Sequence, residues 1–193
     1  MRIVDIYQTL EERHNYEYIQ EHGPFLCREV DGNGHIKKGA LTPWLGEGYY
    51  FWNTREEDAH WWGQTVYKQN GYIICHTTYD QHSNLLFDMV GNIFQFDEFI
   101  RCAKYIKDKE GYEKVSVPMV LARLKKLPDF IYKAIRVWPQ SKEIKSTNVD
   151  FPGNKFRIGF VEKVQICFFD KTLLANSYNI IYPDQTPIEC QTI

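Results

Sequence analysis

Residues 45–63 read LGEGYYFWNTREEDAHWWG. Gly46 and Gly48 flank a single residue, Glu47, just before a run of aromatics. Glycines in that position let a ligand or another segment approach the backbone closely. Residues 48–52 have the aromatic content of a short strand. Residues 55–68 then suit a helix, with Thr54 as its cap and Glu56, Glu57 and Asp58 in the first turn, where the helix dipole favours negative charge. A strand tyrosine, Tyr50, and adjacent tryptophans, Trp61 and Trp62, on the next helix could converge on a planar aromatic ligand. The same spacing also fits a tight turn followed by two indoles that face a core.

Outward from there, the 193-residue chain is long enough for one domain, residues 1–193, with a helical insertion at about 85–130. Apolar residues make up 44% of the chain and aromatics 16%, enough for a packed core. The net charge of −2 supplies no global basic field of the kind that marks nucleic-acid binding. Residues 4–21 are expected to be helical, with Ile6, Leu10, Tyr18 and Ile19 as a partial apolar face, stopped by Gly23-Pro24. Strands are expected at 25–30, 71–80, 134–138, 163–169 and 178–183, and helices at 93–107 and 115–127, the second with Pro118 in its first turn. Residues 139–156 are expected to form an exposed loop. The pattern is α+β, with strands towards both ends and helices between.

The aromatic stretch resembles the NAD-binding core of the ADP-ribosyltransferase superfamily, in particular its diphtheria-toxin and poly(ADP-ribose)-polymerase branch. That branch has a GxGxYF strand, then a helix carrying an alanine and an aromatic about eleven residues after the strand tyrosine. Here GEGYYF supplies the strand, Ala59 the alanine and Trp61 the aromatic, and Tyr50 and Trp61 are eleven positions apart. The resemblance implies a split antiparallel β-sheet ADP-ribosyltransferase-like fold. It also implies a nicotinamide ring held between Tyr50 and Trp61, with Gly46 and Gly48 beside the ligand. The superfamily's opening strand bears a His or Arg that binds a ribose or phosphate, and Arg28 and His22 are the candidates, with Arg28 preferred. Its catalytic glutamate begins a late strand, and VQICFFD (residues 164–170) fits that frame with Gln165 in the glutamate's place. Glutamine keeps a hydrogen bond to the ribose but lacks the charge that offsets the cation formed as nicotinamide leaves. Glu162, three residues upstream, could supply the carboxylate, though a bulge would be needed to bring it to the same strand face.

In function, the resemblance implies an NAD-dependent ADP-ribosyltransferase with NAD as a substrate. Its partners would be a macromolecular acceptor (protein, RNA or DNA) and, as for small bacterial toxins in toxin–antitoxin or anti-phage systems, an antitoxin protein. A catalytically inactive NAD- or partner-binding domain is the alternative. Other classes find less support. No stretch approaches 18 consecutive apolar residues and the N-terminus is too polar for a signal peptide, so a cytoplasmic protein without membrane contact is expected. Five unpaired-looking cysteines read as buried thiols of a reducing compartment. His60 and His76 lack spaced partner ligands, and no metal is expected.

Overall fold

The computed structural model describes residues 1–29, 43–139, 147–150, 157–160 and 163–184. Its architecture is α+β. A seven-stranded, mostly antiparallel open sheet carries four helices, and a two-stranded ladder stands apart from it. The strands, in chain order, are β1 (Ile3–Glu11), β2 (Tyr49–Asn53), β3 (Tyr72–Asp80), β4 (Leu86–Asp88), β5 (Ala134–Val137), β6 (Thr147–Asp150), β7 (Arg157–Phe160), β8 (Gln165–Phe168) and β9 (Asn179–Tyr182). The helices are α1 (Tyr16–His22), α2 (Glu56–Val66), α3 (Ile93–Lys109) and α4 (Val117–Leu124). The sheet order is β4-β5-β8-β2-β1-β3-β9, so the chain's opening strand lies near the middle.

That opening strand corrects the expectation of a helix over residues 4–21. Ile6 and Leu10 are four residues apart, a spacing that fits one face of a helix or of a strand equally. Ile3, Val4, Ile6 and Thr9 decide between them, because branching at Cβ favours the pleated backbone. The alternation is clean: Val4, Ile6 and Gln8 are buried on one face while Asp5, Tyr7 and Thr9 turn to the other. Helix begins only at Tyr16.

The two sheet faces are covered differently. On one, Phe51 and Tyr79 pack edge-on against Phe168, with ring centroids 5.6 and 5.5 Å apart, and Ile19 of α1 joins them. On the other, α2 lies over β1 and β3. Ala59, fully buried, lets its backbone come close enough for Thr9 Oγ1 to donate to the Ala59 carbonyl at 3.0 Å. Farther along that face, α3 and α4 bury Phe99, Ile106, Val120, Leu121 and Leu124 against Phe87, Ile135 and Cys167.

The region expected as a helical insertion is therefore a connection with a job. β4 and β5 pair in parallel, Leu86 to Ala134 through Asp88 to Arg136, and parallel neighbours need a long crossover, which α3 and α4 provide. β4 itself, with three residues, is too short to show a period in the sequence. Asn92 and Ser116 cap α3 and α4 through their side chains, and Pro118 sits in the first turn of α4 as expected. α2 departs from expectation at its start. Arg55 occupies the cap without a side-chain capping hydrogen bond, and Thr54 has a left-handed φ of 73°. Within the expected loop of residues 139–156, β6 pairs antiparallel with β7, Thr147 to Phe160 through Asp150 to Arg157. No helix among the described residues is long and apolar enough to cross a membrane.

Candidate functional site

β1 and β2 begin as neighbours and then part. Their backbones pair at Ile6–Asn53 and Tyr7–Trp52 and nowhere farther along. Residues 25–28 occupy the gap. Cys27 exchanges backbone hydrogen bonds with Gly48, at 2.9 and 3.2 Å, and Phe25 is tied to the side chain of Gln8. The expected strand over 25–30 is thus a single bridge at Cys27, and Val30 lies outside the described residues.

Gln8 is the clasp of this split. Its Nε2 donates to the carbonyls of Phe25 (2.9 Å) and Tyr50 (3.4 Å), and its Oε1 accepts from Phe25 N (3.0 Å) and Tyr178 Oη (2.7 Å). An amide side chain, 5% exposed, does across the split what a backbone ladder does elsewhere. Nothing in the sequence marks Gln8 while residues 4–21 are taken as helix. Read as a strand, it is the one polar residue on the buried face.

A cleft of about 830 Å³ opens at the split. That size falls within the range of small-molecule sites. Its walls come from six segments: the second half of β1, α1, residues 25–28, residues 43–44, β2 with α2, and the first residue of β8. Aromatic surface is contributed by Tyr18, Trp44, Tyr50, Trp62 and Tyr67, and charge by Glu11, Arg13 and Arg28. Arg13 is held by Glu11, with its Nη2 at 2.6 Å from Oε2. Arg28 makes no hydrogen bond or ion pair among the described residues, so its guanidinium is available to a ligand.

Of the residues singled out in the sequence, Tyr50, Arg28 and Gln165 line this one cleft. β2 and β8 pair Tyr50 with Cys167 and Trp52 with Gln165, which puts Tyr50 and Gln165 on the same sheet face, one diagonal step apart. The Gln165 side chain is oriented by Trp44, whose indole N–H donates to Oε1 at 2.7 Å. Because an indole can only donate, Oε1 must face it, and Nε2 is left with no partner among the described residues. The Tyr50 hydroxyl is fully engaged: it accepts from Leu45 N at 2.8 Å and donates to the Gly46 carbonyl at 2.7 Å. Burial holds its pKa well above the ordinary phenol value. Its ring can form a wall, but its hydroxyl is committed to the turn.

The glycines serve that turn. Gly46 has φ +82°, a backbone conformation other residues resist. At Gly48 a Cβ would collide with Cys167 Sγ and stand 2.7 Å from the Phe168 carbonyl, so the residue admits β8 rather than a ligand.

Gly46 and Gly48, expected beside the ligand, are not among the residues that line the cleft, and neither are Trp61 and His22. Trp61 is 38% exposed on the outer side of α2, edge-on to Trp52 at 5.9 Å, with Lys163 Nζ over its ring at 4.3 Å. The tryptophan that lines the cleft is its neighbour Trp62. Which of two adjacent indoles faces inward depends on helix phase, which the eleven-residue spacing does not determine. His22, the other opening-motif candidate, closes α1 and does not line the cleft, its ring stacked on Tyr18 at 4.2 Å and its Nδ1 3.1 Å from the Tyr18 carbonyl. Glu162 lies outside the described residues, and β8 begins at Gln165.

Just before β8, Lys163 adopts a left-handed φ of 56° and its N–H donates to Oδ2 of the buried Asp58 of α2, at 2.9 Å. This link fixes where β8 starts, and hence where Gln165 sits. No protein family model, curated protein or solved structure matches the chain.

Proposed function

We propose that the cleft at the β1–β2 split binds NAD and that the protein is an NAD-dependent ADP-ribosyltransferase of bacterial toxin type, with an ADP-ribosyltransferase-like fold. The observation that carries the proposal is the convergence of Arg28, Tyr50 and Gln165, distant in sequence, on one aromatic cleft, with the Nε2 of Gln165 unpartnered there among the described residues. The chemistry of the donors suits the ligand. Arg28 offers a planar fork for a pyrophosphate oxygen pair, and Tyr50, Trp44 and Trp62 offer flat apolar surface for a nicotinamide or adenine ring.

In the proposed reaction the bond between ribose C1 and the nicotinamide nitrogen breaks, and its electron pair leaves with nicotinamide. The ribose carbon becomes oxocarbenium-like, as in glycoside cleavage. A nucleophile of the acceptor attacks that carbon and loses its proton to solvent. Gln165 orients a ribose hydroxyl through Nε2, while Trp44 keeps the amide from rotating. A neutral amide supplies orientation without the charge stabilisation of a carboxylate.

The neutrality of Gln165 favours a second reading, an NAD-binding domain without turnover. Incubation with NAD while following free nicotinamide, with and without cell extract as a source of protein and nucleic-acid acceptors, separates the two. Release that rises with extract, together with label transferred from the adenine side of NAD to a macromolecule, is the expected result. Binding without release would establish the second reading. Absence of NAD binding would overturn both.

A further inference from the structure

Asn15 stands in the turn from β1 into α1, at a position where an asparagine side chain ordinarily caps a helix. Here it does not cap. Only its backbone carbonyl is used, accepting from Ile19 N at 3.0 Å. The side-chain amide makes no hydrogen bond among the described residues, and its Oδ1 is buried. Native proteins leave few buried polar atoms unpaired, because their lost hydration is then not offset. Asn15 is also part of the cleft wall. With no partner to hold it, the amide turns about its Cβ–Cγ bond at little cost and can present Oδ1 and Nδ2 to that space together.

The cleft has two ends. Gln8, whose Nε2 reaches the Tyr50 carbonyl, marks the first, and β1 carries the wall from there to Glu11, about 10 Å of extended chain. Asn15 follows Glu11 by four residues, and Tyr18, also in the wall, lies in the next turn. Tyr67 is tied to this second end through Gly71, which donates to the Tyr67 carbonyl at 2.9 Å and accepts from Glu12 N at 3.1 Å. Tyrosine rings thus line this end with flat surface. Its arginine is already engaged, since Arg13 Nε and Nη2 both donate to Glu11 Oε2, at 2.9 and 2.6 Å. An uncharged flat ring suits such an end better than a phosphate does.

On the NAD reading of the cleft, we propose that Asn15 selects the base of the dinucleotide. Adenine carries a donor, its 6-amino group, and an acceptor, N7, on one edge. An asparagine amide is the complement of that pair: Oδ1 accepts from the amino group while Nδ2 donates to N7. Arg28 takes the pyrophosphate, and Tyr50 and Gln165 serve the other ring and its ribose. Hypoxanthine has a carbonyl in place of the amino group, so it sets two acceptors against the amide and leaves Oδ1 unpaired. A site built for a hydrogen bond rejects the analogue that lacks it more strongly than an apolar pocket would.

The test is calorimetric titration of the full chain with NAD, with nicotinamide hypoxanthine dinucleotide, and with nicotinamide mononucleotide, which has no base for this end. The wild type should bind NAD about tenfold or more tighter than the hypoxanthine analogue. This comparison needs no substitution, so a folding defect cannot imitate it. Asn15→Leu, close in volume, should weaken NAD about tenfold, leave the analogue within about threefold, and so erase the preference. Nicotinamide mononucleotide should bind the two proteins within about twofold of each other. Equal affinity of the wild type for the two dinucleotides, a preference that Asn15→Leu retains, or an equal loss of mononucleotide binding in the variant would each overturn the role of Asn15 while leaving NAD binding in place. No binding of NAD by the wild type would instead overturn the NAD reading of the cleft, and the base selection with it.

Discussion

Along its β3 edge, β1 forms an unbroken antiparallel ladder from Ile3–Asp80 to Glu11–Tyr72, nine residue pairs. Along its β2 edge the ladder stops after two pairs, Ile6–Asn53 and Tyr7–Trp52. The two edges belong to the same strand, so its composition cannot explain the difference. A third segment explains it. Residues 25–28 wedge between β1 and β2, bonded to Gln8 on one side and to Gly48 on the other, and the cleft opens where the wedge enters. A sealed edge supplies rigidity, and the parted edge supplies a cavity whose walls that rigidity holds in place. Backbone groups cannot be left buried and unpaired, so a split sheet needs side chains to take over their hydrogen bonding. Gln8 does this on the β1 side, and the Tyr50 hydroxyl does it for the turn before β2.

Gln8→Leu should have the largest effect on the parted edge. The substitution keeps the volume close but leaves Phe25 N, two carbonyls and the buried Tyr178 hydroxyl without their partner. Its expected cost is about 3 kcal/mol, since unsatisfied buried donors are expensive. Ile6→Val, on the paired part of the same strand, should cost about 1 kcal/mol. Urea unfolding of the two variants measures the contrast. If Gln8→Leu is no worse than Ile6→Val, Gln8 is not the clasp.

Next in size is Gly48→Ala, at about 2 kcal/mol from overpacking against Cys167 and Phe168. Cys167 is fully buried on β8 and Phe168 contributes its backbone carbonyl, so neither can move cheaply. The variant should also weaken NAD binding, because the bridge from Gly48 to Cys27 positions Arg28. A variant as stable as the wild type would mean that β8 can slide past β2, and that the floor of the cleft is softer than the geometry indicates.

The cleft itself is tested by the two adjacent tryptophans of α2, one lining it and one outside it. Trp62→Ala should raise the Kd for NAD about tenfold, the value of one stacked aromatic. Trp61→Ala should stay within about threefold of the wild type, as its ring lies outside the cleft. Isothermal titration calorimetry of both variants decides the matter. The reverse order would restore the pairing of Tyr50 with Trp61 that the sequence suggests.

How much of the molecule is legible in the sequence differs between the parted edge and the rest. β2, β3, β5, β8, β9, α3 and α4 are readable because each has a run of uniform period, and Pro118 punctuates α4. β1 reads as helix because Ile6 and Leu10 satisfy both periods, and that reading hides the most informative polar residue of the site. With residues 4–21 taken as helix, Gln8 has no face to be unusual on. Tyr50 stands out from the glycines before it and from the resemblance to the ADP-ribosyltransferase motifs, whereas Arg28 and Gln165 stand out through that resemblance alone. Trp44 and Trp62 do not stand out, since an indole's direction is set by packing, and the hydrogen bond from Trp44 to Gln165 joins residues 121 positions apart.

The smallest expected effect concerns the two thiols buried on either side of the split, Cys75 on β3 and Cys167 on β8. Burial pushes Cys75 up to about 11 and Cys167 up to about 12, against an ordinary value of 9.0. The folded protein therefore binds these protons more tightly than the unfolded chain does. The stability this contributes is complete below pH 9 and is lost as pH rises from there towards 12. At pH 9 the loss is only about 0.4 kcal/mol per thiol, and it steepens above that. Between pH 6 and 8 both cysteines should resist maleimide labelling in the native protein and react once it unfolds. Cys75 lies on the sealed edge, whereas Cys167 sits directly beneath Gly48 and the Tyr50 turn. If labelling of Cys167 alone at pH 8 rises when Gln8 is replaced by Leu, the parted edge opens independently of the ladder. Equal rates at both sites would mean that the sheet opens as one unit and that the wedge is as firmly held as any strand.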